Sequence, residues 1–223
     1  MHPQFAHVET WVFDLDNTLY PPSMGLFPQI ERRMTDWVMQ NLGLGRAEAD
    51  RLRATYWRAH GTTLAGLMRD HQIDPAPYLS YVHDLDFTVL SPDPVLARAL
   101  KSLPGRRIVY TNADTGYAGR VLKARGLTGI FDAVYGVEDA QYHPKPDRLA
   151  FETVFAKDRL NPATAAMFED DPWNLKAPHA MGLATIHVAA NPSRAAHIHY
   201  RTRNLTSFLT RVVLPLRNPV ATP

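Results

Sequence analysis

The chain has 223 residues, 45% of them hydrophobic, with a formal net charge of only +2, which suits one sizeable core with room for a small accessory subdomain. It has no cysteine, so disulfides and thiolate metal sites are excluded. No apolar run approaches the roughly 20 residues of a membrane helix, and the scattered Lys and Arg form no basic run of the kind that grips a nucleic-acid polymer.

The opening stretch MHPQFAHVET lacks a basic segment followed by an apolar one. No secretory leader is therefore expected, and the cytoplasm is the expected compartment. A first strand is predicted over Glu9 to Asp14. A long stretch follows, about 20–91, with almost no strand signal. Within it Phe27, Ile30, Met34, Trp37 and Val38 recur at three- and four-residue steps, the mark of an amphipathic helix. Asn41-Leu42-Gly43 is a stop. Arg46 to His60 reads as a second helix, Thr62 to His71 as a third, and Asp74-Pro75 as the start of a fourth, because proline is tolerated in a first turn. This insert is expected to be a helical subdomain.

Ser91-Pro92-Asp93-Pro94 marks the return to the main domain. From there strands and helices alternate. Strands are expected at Arg106 to Thr111, Phe131 to Tyr135, Ala165 to Phe168 and Leu183 to Val188, with an edge strand near His197 to Tyr200. Helices are expected at Thr115 to Arg125, Asp147 to Ala156, Pro172 to Met181 and Leu205 to Val213. Alternating β and α implies a doubly wound parallel sheet, an α/β fold, with helices on both faces.

In such sheets, ligands sit beyond the carboxyl ends of the strands near a topological switch point. The residues there are Asp14 and Asp16, then Thr111 and Asn112, then Glu169, Asp170 and Asp171. Two positions apart, Asp14 and Asp16 can face the same way, and close carboxylates raise each other's pKa unless a cation lies between them. An acidic cluster drawn from two strands suggests a hard divalent cation held through oxygen, Mg²⁺ being the obvious choice. Helix capping is the competing reading, above all for Asp171 before Pro172. The Thr111 hydroxyl and nearby backbone N–H groups suit a phosphate oxygen, although Thr-Asn also opens ordinary turns. Lys145, between Pro144 and Pro146, is a stiffly placed ammonium that suits a bound phosphate.

The order DLDNT, TN, KP, EDDPWN resembles the haloacid dehalogenase superfamily of phosphohydrolases along nearly the whole chain. The resemblance implies residues 1–19 and 92–223 as a catalytic core and 20–91 as a helical cap. It implies Asp14 as a nucleophile that forms an aspartyl-phosphate, and Asp16 as the acid/base, with its backbone carbonyl on the metal. It further implies Thr111 and Asn112 as phosphate ligands, Lys145 as the neutralising charge, and Asp170 as a second carboxylate on Mg²⁺. Glu169, Asp171 and Asn174 would lie around the metal without touching it.

Within that superfamily, DNTLYPPSMGLFPQIERRM, GTTLAGLM, YVHDLDF and FEDDPWNL are similar to the pyrimidine 5'-nucleotidase branch, whose last motif usually reads Phe-Glu-Asp-Ser. That branch hydrolyses UMP and CMP to nucleoside and phosphate. The implied partner is a small phosphate ester, with no nucleic-acid polymer and no membrane. His60, Gly61, Thr62 and Thr63 are the candidate cap residues for reading the leaving group, and an ordinary helix-to-helix turn is the competing account. His83 is expected to be a structural histidine. The rival activities are a phosphatase for another small ester such as a sugar phosphate or phosphoglycolate, a dehalogenase, a phosphomutase, and a non-catalytic binding module.

Overall fold

The computed structural model describes residues 2–213. Met1 and residues 214–223, which the expected core range includes, lie outside the described residues. The element order is β1 (Thr10–Phe13), α1 (Phe27–Leu42), α2 (Arg46–His60), α3 (Thr63–His71), α4 (Pro75–Val82), α5 (Pro94–Lys101), β2 (Arg106–Tyr110), α6 (Thr115–Ala124), β3 (Ala133–Tyr135), α7 (Arg148–Asp158), β4 (Ala165–Glu169), α8 (Lys176–Met181), β5 (Ala184–Val188), β6 (Tyr200–Thr202) and α9 (Leu205–Val213).

The described strands form one sheet in the order β3-β2-β1-β4-β5-β6, parallel throughout. The doubly wound α/β expectation holds. The chain builds outward from β1 in one direction through β2 and β3, then returns to build the other way through β4, β5 and β6. The order therefore reverses beside β1, and the crevice of such folds opens there. The central strand β1 is buried along its whole length, as a strand covered on both faces must be. Its side chains alternate between faces. Trp11 and Phe13 join one core with Leu96 and Leu100 of α5, Val121 of α6 and Leu209 of α9. Val12 joins the other with Phe151 and Val154 of α7 and with Leu175.

Between β1 and α5 the regular structure is helical, α1 to α4 with short 3-10 turns. These four helices share a core of their own that includes Trp37, Val38, Tyr56, Leu67, Tyr78 and Val82. Helix α1 stops where Gly43 turns left-handed at φ 68°, a conformation that glycine adopts without a Cβ penalty. Asp74 caps α4 by accepting from Ala76 N–H at 3.0 Å, ahead of Pro75 in the first turn.

Three elements differ from the sequence expectation, the first being the edge strand, expected near His197 to Tyr200 and found at Tyr200–Thr202. Helix α5 is additional to that expectation, although Asp93 caps this helix through Leu96 N–H at 2.9 Å with Pro94 next, the same signal that marks α4. The expected helix from Pro172 to Met181 is two pieces, a 3-10 turn over Pro172–Leu175 and then α8. Pro178 lacks the N–H that a continuous helix would donate to the Asn174 carbonyl, so the break upstream of it costs no such bond.

Candidate active site

The carboxyl ends of β1, β2 and β4 supply a tightly bonded charged cluster. Asp14 follows β1, and its N–H donates to Phe168 O of β4 at 2.9 Å, which continues the ladder. Lys145 arrives from the loop before α7 and is 1% exposed. Its Nζ donates to Asp14 Oδ1 at 2.7 Å, Glu169 Oε2 at 2.6 Å and Tyr110 O at 3.2 Å. An ammonium has three protons to donate, so these bonds use all of them. Burial works against its charge, but the paired Asp14 and Glu169 carboxylates outweigh that and hold the ammonium above its ordinary range. Removing one member of such a buried set costs on the order of 3–5 kcal/mol, because the others are left uncompensated.

Asn112 fixes the lysine's backbone from both sides. Its Oδ1 accepts from Lys145 N–H at 2.8 Å and its Nδ2 donates to the Lys145 carbonyl at 3.2 Å. The Asn112 side chain thereby positions Lys145, and one Nδ2 proton is left for a further acceptor. Thr111 is buried at the end of β2, and its Oγ1 accepts from Ala113 N–H at 3.1 Å, which leaves the hydroxyl proton to be donated.

Asp14, Glu169 and Asp170 offer carboxylate oxygens within 4.8 Å of one another. Asp14 Oδ2 is buried with no hydrogen-bond partner among the described residues. Burial first, then the neighbouring Asp14 and Glu169, push the Asp170 carboxyl well above its usual range, with Asn17 working the other way. Burial and Asp14 likewise raise Glu169, against the pull of Lys145. Crowded buried carboxylates with an orphaned oxygen fit a hard divalent cation. Lys145 and the Asp171 N–H take both Glu169 oxygens, whereas Asp14 Oδ2 has no partner among the described residues, so the oxygens best placed for Mg²⁺ are those of Asp14 and Asp170. The Asp16 carboxylate is not in this triad, so only its main chain remains for the metal contact that the resemblance implies.

The Asp16 side chain turns elsewhere. Its Oδ1 accepts from Tyr20 Oη at 2.6 Å and from Tyr117 Oη at 2.6 Å. Burial and Asp14 raise its pKa, while the two phenol hydrogen bonds lower it less than those raise it. The phenols themselves are held neutral, raised by burial and by Asp16. Tyr117 stacks on His83 at 4.3 Å between ring centroids, 20° from parallel. His83 is buried and bonds through Nδ1 to Asp114, while its carbonyl accepts from Arg120 at 3.0 Å. This histidine, just past α4, thereby joins the helical insert to α6.

The remaining predicted residues divide. Asp171 Oδ1 accepts from Trp173 N–H at 2.9 Å, so it caps the 3-10 turn. Asn174 lines the same cavity as the cluster. His187 of β5, which sequence reasoning missed, fixes the Asp170 backbone. Its Nδ1 accepts from Ser193 N–H at 2.8 Å, which leaves Nε2 to donate to the Asp170 carbonyl at 2.8 Å.

A cavity of about 580 Å³ opens over these strand ends, with α1, α2 and α4 forming its far wall. Gly61, Thr62 and Thr63 reach it, but His60 does not; it lines a neighbouring cavity beside Trp173 and Tyr142. His60 ends α2, and the chain turns at Gly61 with φ 84°. A Cβ there would sit 2.9 Å from Lys145 O, so only glycine allows this turn to press against the lysine loop. Thr62 Oγ1 caps α3 through Ala65 N–H at 3.1 Å. This stretch is built first as a helix-to-helix turn.

Sequence reasoning also missed Tyr20 and Tyr117. Tyr20 lies within the DLDNTLY stretch, four residues from Asp16, close enough to be weighed as its partner. Tyr117 lies 101 residues away in sequence and carries no such local signal.

The family model for haloacid dehalogenase-like hydrolases matches residues 8–182, and the chain belongs to that family. A curated relative is "Phosphate metabolism protein 8" of Saccharomyces cerevisiae, 26% identical over 196 residues. The match covers 80% of this chain, and the chain spans 60% of that protein's length. Among solved structures, a HAD phosphatase from Thermococcus onnurineus superposes with a TM-score of 0.62 at 19% identity, covering 92% of this chain and 98% of that one. The putative HAD-hydrolase YfnB from Bacillus subtilis, bound to magnesium, gives 0.59 at 16% identity over 92% and 98%. The L-2-haloacid dehalogenase of Xanthobacter autotrophicus gives 0.57 at 14% identity over the same shares. These structures share the fold. Among the described residues no helix is long and apolar enough to cross a membrane.

Proposed function

We propose that this hydrolase is a Mg²⁺-dependent phosphomonoesterase that works through an aspartyl-phosphate, with pyrimidine nucleoside 5'-monophosphates as its substrates. The observation that carries the reading is Asp16. Its carboxyl stands on the cavity wall two residues beyond Asp14, gripped by two phenols, with its pKa raised by burial and by Asp14. Expelling an alcohol from a phosphate ester calls for a proton donor. Expelling a halide does not, so a dehalogenase would have no use for Asp16.

In the first step the Asp14 carboxylate forms a bond to phosphorus as the P–O bond to the alcohol breaks, and Asp16 gives the departing oxygen its proton. In the second, Asp16 takes a proton from water, the water oxygen bonds to phosphorus, and the P–O bond to Asp14 breaks to return its carboxylate and free phosphate. Lys145 offsets phosphate charge and holds the Asp14 carboxylate in one orientation. Thr111 can donate its hydroxyl proton to a phosphate oxygen. Held by Asp14, Asp170 and the Asp16 main chain, Mg²⁺ would supply charge neutralisation for the nucleophile and the phosphate.

Residues 20–91 act in this reading as a cap over the phosphate end, excluding water and reading the leaving group. The nucleotide assignment rests on the motif resemblance and on a cavity large enough for a nucleoside and lined on the cap side by Phe27, Ile30 and Leu79. The test is a phosphate-release screen over nucleotides, sugar phosphates and phosphoglycolate, with and without Mg²⁺, beside a halide-release assay on 2-haloacids. UMP and CMP should lead and no halide should appear. Halide release without phosphate release would overturn the phosphatase reading; a sugar phosphate in the lead would overturn the pyrimidine assignment.

A further inference from the structure

Asp16 accepts Tyr20 Oη and Tyr117 Oη on the same oxygen, Oδ1, so the proton it gives away is carried on Oδ2. The two phenols therefore set the direction in which that proton points. Tyr20 stands four residues from Asp16, whereas Tyr117 reaches it from α6, and the direction of its ring is set by what packs on it. The His83 imidazole lies on that ring, 4.3 Å between centroids and 20° from parallel. Phe87 also approaches, but at 6.0 Å and tilted by 47°, so the stacked imidazole is the closer constraint. His83 itself has little freedom. Its N–H donates to Leu79 O at 3.1 Å, its carbonyl accepts from Arg120 Nη2 at 3.0 Å, and its Nδ1 bonds to Asp114 Oδ2. Asp114 Oδ1 in turn accepts from the Tyr117 N–H at 2.7 Å. One carboxylate thus holds both the imidazole and the main chain of the tyrosine it stacks on, which closes a loop of contacts. Against burial, the bonds from His83 and from the Tyr117 N–H keep the Asp114 carboxyl below its usual range, so it stays an acceptor and Nδ1 carries the proton.

We infer that His83, oriented by Asp114, is a positioning residue for the acid: its imidazole fixes the plane of the Tyr117 ring, and that phenol aims Asp16 Oδ2 at the leaving oxygen. The role needs no contact between His83 and substrate. A single aromatic pair is a modest interaction, but the angle it sets here is passed on to a proton transfer, which depends on geometry before it depends on pKa. His83 follows α4, whereas Asp114 and Tyr117 belong to the start of α6. In this reading the helical insert contributes to proton delivery. The inference rests on the phosphomonoesterase reading above, because the acid is needed only where an alcohol must leave.

The test takes the ratio of kcat/KM for UMP, whose leaving group needs the proton, to kcat/KM for p-nitrophenyl phosphate, whose leaving group needs it little. His83→Ala removes the stacked ring and should lower the ratio about fivefold, the worth of one aromatic pair. In a Tyr117→Phe background the same substitution should leave the ratio where Tyr117→Phe alone sets it, since the hydroxyl through which His83 acts is gone. His83→Phe, which restores a flat ring, should recover most of the ratio. Asp114→Asn opens no cavity and keeps a helix-capping side chain; it should lower the ratio in the same direction and carries the test if His83→Ala does not fold. An equal loss on both esters, or a further fall of the ratio in the Tyr117→Phe background, would make His83 a structural group and overturn the inference. So would an unchanged ratio in both His83→Ala and Asp114→Asn. The ratio is taken on whichever nucleoside or sugar phosphate the wild type cleaves best, so a wild type that ignores UMP counts against the pyrimidine assignment alone. A wild type that cleaves no phosphate ester overturns the phosphomonoesterase reading, and a crystal structure of His83→Ala then decides the positioning role. Tyr117 Oη should lie beyond hydrogen-bond reach of Asp16, and a retained 2.6 Å bond would contradict the role.

Discussion

The two ends of the cavity are built on opposite terms. At the strand ends the strong donors are spent: Lys145 places all three protons, Asn112 bonds the lysine's main chain twice, and Asp16 receives two phenols. At the cap wall, Tyr78 Oη and Arg53 Nε are buried and unpartnered among the described residues. The first arrangement is rigid before substrate arrives, which suits groups that must meet a charge-developing transition state without reorganising. The second presents a mostly apolar wall that includes Phe27, Ile30, Met34 and Leu79. Charged chemistry is preorganised at one end, and the other end offers mainly apolar surface.

The comparison is broken most severely at Asp14. Asp14→Asn should abolish turnover, a loss of at least about a thousandfold in kcat, since a neutral amide does not attack phosphorus. The variant should also weaken the Lys145 cluster, because Lys145 and Glu169 then share one fewer charge, and the melting temperature should fall. Wild-type kcat in Asp14→Asn, measured by phosphate release, would remove the nucleophile from the scheme.

Metal removal attacks the same end without altering the chain. Chelation with EDTA should take activity to background, Mg²⁺ should restore it, and Ca²⁺ should not, because Ca²⁺ accepts more ligands in a looser geometry. Added Mg²⁺ should also raise the melting temperature, because a cation would relieve the repulsion among Asp14, Glu169 and Asp170. Full activity after exhaustive chelation would contradict the acidic cluster's assigned role.

How much can be read from the sequence follows this same division. Each strand-end motif is a few contiguous residues whose position is set by the strand that carries it, so Asp14, Asp16, Thr111, Lys145 and Asp170 can be named from the order of residues alone. The parallel sheet follows from the alternation of strands and helices. What escapes is long-range or ambiguous. Tyr117 reaches Asp16 across 101 positions, and in sequence it is one more aromatic on an amphipathic helix. Tyr78 likewise reads as packing, and most of its ring is packed; only the unpartnered oxygen sets it apart. The stretch His60 to Thr63 stands out because it is polar, but polarity there serves a helix cap and a glycine turn against Lys145. Helix α5 is hidden because its Asp-Pro start reads equally well as a domain boundary.

A smaller effect, about tenfold, is expected from Tyr117→Phe, the worth of one hydrogen bond. The change removes one of two phenols on Asp16 and keeps the ring that stacks on His83. With one donor fewer, the carboxylate is less well fixed and its pKa rises further, since the phenol bond lowers it. The rate should fall more for a nucleoside leaving group, which needs the proton, than for p-nitrophenyl phosphate, which needs it little. An equal loss with both substrates would mean that Tyr117 supports the cavity wall and not the acid.

The smallest effect belongs to Asp171, the position at which this chain departs from the motif of the branch it resembles, where serine is usual. Three consecutive acids beside a metal invite the thought that all three bind it. The structure gives the third a different occupation, since Asp171 Oδ1 accepts from Trp173 N–H at 2.9 Å and caps the 3-10 turn that Pro172 opens. Serine caps about as well as aspartate, whereas alanine forfeits about 1 kcal/mol. Asp171→Ser should therefore keep its melting temperature and stay within about threefold of wild-type kcat by the same capping equivalence. Its apparent Mg²⁺ affinity should weaken modestly, through the lost negative charge alone. Asp171→Ala should lose the cap as well and melt a few degrees lower. Titrating Mg²⁺ into all three proteins and following both melting temperature and rate separates the two contributions. A fall in activity for Asp171→Ser as deep as that of Asp170→Asn would place Asp171 on the metal and remove the distinction between a residue that binds the ion and one that only holds the turn beside it.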